Sequence, residues 1–114
     1  MKRVISISEI VTPLQLEGES CEVWASAEAN YDEVNLELDV RLEAFLRRSK
    51  DNKHLPTRWL PPPENLREHV DFEEASSAAK EIFENWVHRI RRAMEARSDA
   101  TASPPRGGNL SSVP

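Results

Sequence analysis

The chain has 114 residues, a formal net charge of −5 and 39% hydrophobic residues, which is enough for one modest core and too little for two domains. No apolar run approaches the ~20 residues of a membrane helix, and the first eight residues lack the apolar segment of a secretory signal, so a cytoplasmic protein without a membrane anchor is expected. A single cysteine, Cys21, excludes an internal disulfide, and the excess of acid argues against direct nucleic-acid binding.

The charge is segregated along the chain. Between Arg3 and Arg41 there is no Lys or Arg, whereas Glu9, Glu17, Glu19, Glu22, Glu28, Asp32, Glu33, Glu37 and Asp39 all fall in that stretch. From Arg41 to Arg58 the balance reverses. An acidic sheet followed by a basic connector is the expected charge map.

Residues 3–11 are rich in Val and Ile and predict a first strand, with Pro13 barring continuation in a central position. A connection through Gly18 leads to a second strand over 20–29, in which Cys21, Val23, Ala25, Ala27 and Ala29 alternate with Glu22, Trp24, Ser26 and Glu28. A third strand over 33–46 follows from the longest alternation in the chain: Val34, Leu36, Leu38, Val40, Leu42, Ala44 and Leu46 interleave with charged and polar neighbours. If Asn30 to Glu33 form the turn, Ala29 pairs with Val34 and the apolar faces of both strands stay in phase. Leu42, Phe45 and Leu46 also have helical spacing, so a helix over 39–49 competes for the far end of this strand.

His54 to Pro63, HLPTRWLPPP, predicts an extended strap, and Glu64 to Val70 a short helical turn. Asp71 and Glu74 form a capping-box-like pair that opens a long helix over 71–97, with Ala75, Ala79, Ile82, Phe83, Trp86, Ile90, Ala93 and Met94 on one face. Residues 98–114 are small, polar and rich in Pro and Gly, and predict a disordered tail. The expected fold is α+β: a small two-layer domain over 1–97, a three-stranded antiparallel meander packed against one long C-terminal amphipathic helix. A helix of ~25 residues is ~38 Å long and a nine-residue strand ~30 Å, so the helix should overhang the sheet. The stretch DFEEASSAAKEIFENW after a sheet resembles the helix start of HicB-type antitoxins; their glycine-rich strand pattern is absent, and no property is carried across.

Catalytic and metal signatures are lacking. His54, His69 and His88 have no ligand spacing with one another or with Cys21, and there is no phosphate-cradling glycine loop or activated nucleophile. No enzyme activity, metal or cofactor is therefore expected. The alternation places Trp24, Glu22, Glu28, Glu37 and Asp39 on the outward face, and Trp59 in the strap; these six are the candidate partner-binding residues. Either the strap lays Trp59 against Trp24, or both tryptophans anchor a partner. The function expected is a non-catalytic interaction module of inhibitor, immunity, antitoxin or adaptor type, offering an acidic sheet face to a protein with a basic surface. The alternative is a structural subunit or homodimer docking through the long helix at Trp86, Val87, Ile90 and Met94.

Overall fold

Two-residue alternation in the sequence becomes three long strands, seen in a computed structural model that describes residues 2–102, with side chains over 3–97. They are β1 (Lys2–Leu16), β2 (Glu19–Asp32) and β3 (Glu37–Arg48), followed by β4 (His54–Leu55), β5 (Glu64–His69) and α1 (Phe72–Ala102). The fold is α+β, but the sheet has five strands rather than three: β1, β2 and β3 lie side by side and antiparallel, and β4 and β5 both pair with β3 along its other edge. Residues 103–114, which hold most of the expected tail, lie outside the described residues; over 98–102 the backbone continues the helix.

Each departure from the sequence reading has a physical cause. β1 runs past Pro13 because it is an edge strand, where a missing N–H costs no ladder bond, and a bulge between Ile10 and Thr12 absorbs the irregularity. It turns into β2 through Glu17 and Gly18, both at positive φ (51° and 82°), the two-residue type I′ geometry that suits the twist of a hairpin. β2 extends beyond Asn30 to Asp32, and Ala29 pairs with Val40, not Val34. Asp32 sets this turn: its Oδ1 accepts from the Val34 and Asn35 backbone N–H groups at 2.9 and 3.3 Å, and Oδ2 from Asn35 Nδ2 at 2.8 Å. Leu36, at φ 52°, completes it, and Val34 is left 80% exposed. The registers Ala29–Val34 and Ala29–Val40 share parity, so the apolar faces match in either.

Glu64 to His69 form a strand and not a helical turn. The reason is tertiary: β3 offers a bare edge from Glu37 to Leu42, and β5 covers it. The far end of β3 stays extended to Arg48, which settles the competition with a helix.

The core lies between the sheet and α1. Val23, Ala25, Leu38, Val40, Leu42 and Leu46 supply the sheet side, and Ala75, Ala79, Ile82, Phe83, Trp86, Val87 and Ile90 the helix side, all buried. Small alanines on β2 let the helix approach, and Trp86 donates its indole N–H to the Glu43 carbonyl at 2.9 Å, beside the small Ala44. At the helix start the Glu74 N–H bonds to the Asp71 carbonyl at 3.0 Å. The expected overhang largely closes, because the strands are longer than the sequence indicated. The 14 residues of β2 span ~46 Å, about the length of a 31-residue helix.

Candidate interaction surface

On the outward face the β2–β3 register sets Trp24 beside Phe45, Glu22 beside Arg47 and Glu28 beside Arg41. The rings of Trp24 and Phe45 are parallel (1°) with centroids 6.2 Å apart, and His54, from β4, stacks on Phe45 at 4.3 Å. Arg47 lays its guanidinium over the Trp24 ring, 4.4 Å from its centroid. Glu22 ties the group together by accepting from Arg47 at 2.9 Å and from Trp24 Nε1 at 3.2 Å. The Arg47 and Trp24 bonds hold the Glu22 carboxyl below its ordinary range. Arg47 Nε is buried with no acceptor among the described residues. The result is an aromatic ladder, half-buried at Trp24 and Phe45 and exposed at His54, clamped by one ion pair.

Toward the β2–β3 turn the same face carries the acidic candidates. Glu28 is 3.9 Å from Arg41, and Asp39 is 3.7 Å from Arg67 while accepting from Asn65 Nδ2 at 2.9 Å. Glu37 and Glu43 are exposed and have no ion-pair partner among the described residues. Partial neutralisation by Arg41, Arg47 and Arg67 turns the expected acidic block into a mosaic with negative excess. Arg41 is legible as the outward phase of the predicted strand over 33–46; Arg47 lies just past its predicted end, and Arg67 falls in the stretch whose sequence predicts a helical turn. A small polar hollow of about 150 Å³ sits among Asn30, Asp32, Glu37, Asp39 and Arg67, below the size of sites that enclose organic ligands.

Trp59 is elsewhere. Together with Leu60 it packs against the core cluster, and Arg97 of α1 covers its ring at 5.0 Å, so the strap runs on the helix side and does not cross Trp24. Phe45 and the Arg47 guanidinium lie against Trp24 instead. Five of the six candidates therefore share a face, and the sixth does not.

Elsewhere the chemistry is structural. Cys21 is buried, its thiol directed at the Glu19 carbonyl at 3.8 Å. No group of three or more His, Cys, Asp or Glu side chains that could hold a metal occurs among the described residues. The open depression of about 470 Å³ between the β1–β2 turn and the strap is lined by Leu16, Cys21, Leu46, Leu55 and Pro56 beside Arg48, whose guanidinium is engaged by Asp51 and Glu19. No described helix is long and apolar enough to cross a membrane. Compared with known proteins, the chain matches no family model, no curated protein and no solved structure.

Proposed function

We propose that this chain is a non-catalytic interaction module whose outward sheet face binds a protein with a basic surface, Trp24 and its aromatic ladder forming the centre and the carboxylates the rim. The observation that carries this reading is the clustering of a pre-ordered Trp24–Phe45–His54 stack with Glu22, Glu28, Glu37, Asp39 and Glu43 on one face. Anchors already held in one rotamer lose little entropy on binding, and a rim of negative excess speeds encounter with a positive partner. Docking through the helix at Trp86, Val87 and Ile90 has less support, because those side chains are 1%, 6% and 0% exposed against the sheet.

The test is a pull-down with the full chain from its native host, followed by surface plasmon resonance on the captured protein at two ionic strengths. Glu37→Lys with Glu43→Lys is expected to slow association steeply at low salt and leave the fold intact, since neither carboxylate holds an ion pair among the described residues. Trp24→Ala is expected to raise the dissociation rate with little change in salt dependence. Unchanged kinetics in both variants would remove the outward face from the interaction.

A further inference from the structure

Among the described residues the outer edge of β1 has no strand partner, since β1 pairs only with β2. Of the exposed large hydrophobic side chains among the described residues, Val4 at 58%, Ile5 at 36% and Ile10 at 45% are on this one strand; Phe72, at 48%, lies beside it under the Arg3 guanidinium. Long, apolar, unpaired edges are what natural sheets avoid or use for pairing.

Which backbone groups face outward follows from the turn. In a two-residue hairpin the flanking pair, Leu16 and Glu19, exchanges both hydrogen bonds, which gives β2 odd-numbered residues that point toward β1. Beyond the bulge those residues meet Arg3, Ile5, Ile7 and Glu9, so the N–H and C=O groups of Val4, Ser6 and Ser8 are left directed at solvent. Between the bulge and the turn the first outward position is Pro13, which has no N–H to offer. The usable edge therefore ends near Ile10.

The geometry points to pairing of this edge with the same edge of a second copy of the chain, antiparallel about a two-fold axis at Ser6. In that register Ser6 meets Ser6 and Val4 meets Ser8 as hydrogen-bonded pairs, while Ile5 meets Ile7 and Arg3 meets Glu9 as the closer non-hydrogen-bonded pairs. Shifting the axis to Ile7 sets Ile5 against Glu9, and shifting it to Ile5 sets Arg3 against Ile7. Along the row of Arg3, Ile5, Ile7 and Glu9, only the Ser6 axis matches apolar with apolar and base with acid. Glu9 has no ion-pair partner of its own among the described residues, and Arg3, held to Glu33 through Nε at 3.0 Å, keeps its terminal nitrogens for it. The occupant is a second copy because the strand is complementary to itself, and the pairing is independent of the outward-face partner proposed above.

The experiment is sedimentation equilibrium on the purified full chain with no partner present, followed by cross-linking. The wild type is expected at twice the mass of one chain. Ser6→Pro, which removes an outward N–H while sparing every bond to β2, is expected to run as a folded monomer. Register is read by disulfide trapping: Ile5→Cys mixed with Ile7→Cys is expected to cross-link under oxidation, and each variant alone is not. A monomeric wild type at ~100 μM, where even a weak standard interface is populated, would overturn the proposal. So would cross-linking of Ile7→Cys or Ile5→Cys with itself, which signals a different axis. Should Ser6→Pro fail to fold, the mixed-cysteine result decides alone.

Discussion

Tyr31 shows how one side chain links distant parts of this chain. It is 3% exposed on the inner face of β2, its hydroxyl donates to the Val70 carbonyl at 2.8 Å, and Phe72 tilts against its ring at 5.9 Å. The bond fastens the end of β5 to the sheet just before α1 begins. Tyr31→Phe keeps the packing and strands that carbonyl, so a loss of ~1 kcal/mol is expected in urea unfolding. Burial, reinforced by Asp71, Glu33 and Asp32, raises the phenol above its ordinary 10.0; that part of the stability is present below pH 10 and drains away as the pH rises beyond it. Asp51 behaves in the opposite sense. The Arg48 guanidinium, aided by the Lys53 N–H, holds its carboxyl down to about 2 against an ordinary 3.8. Its contribution is full above pH 3.8 and disappears as the pH falls through about 2. The difference in urea midpoint between wild type and Asp51→Asn is therefore expected to shrink between pH 5 and pH 2.5.

At the level of elements, α1 and the sheet are held by interlocking apolar side chains, and Phe83, 4% exposed, sits in the middle of that contact. Phe83→Ala is expected to cost ~3–5 kcal/mol, a large share of the stability of a domain this size, and calorimetry would register a steep fall in Tm. β5 gives a sharper test, because its sequence is a poor advertisement for a strand. If it pairs as described, the amides of Leu38 and Val40, which point toward it, exchange slowly with solvent water; exposed on a bare edge they would exchange fast. The strands and the helix were legible because alternation and 3.6-residue spacing are properties of the chain itself. In Leu38, Val40 and Leu42 the inward phase could be read directly. The turn was misplaced because Asp32, a better turn former than its position in an acidic run suggested, competed with Asn30. β5 was illegible: Glu64, Leu66 and Glu68 carry no inward apolar pattern, and only the vacancy beside β3 makes them extended. The strap was readable as extended but not as to side, since nothing in HLPTRWLPPP distinguishes Trp24 from Arg97 as the neighbour of Trp59.

At the scale of the whole fold, the described residues form a slab, 57 × 35 × 17 Å across the backbone. Its radius of gyration, 17.9 Å, exceeds the ~13 Å of an ordinary compact domain of this length, so small-angle scattering of the Ser6→Pro variant is expected to return an elongated particle. A slab exposes much surface for its core, which favours a chain that is completed by contacts. The two edges of its sheet are treated very differently. The β3 edge is closed by β4, two residues long, and by β5, short and carrying Arg67, Glu68 and His69, both poor templates for a further strand. Each chain thus has one adhesive rim and one passivated rim. Growth by strand addition consumes the adhesive rims in the first encounter and leaves only passivated ones outside, so the assembly terminates itself at a finite size instead of propagating into a fibril.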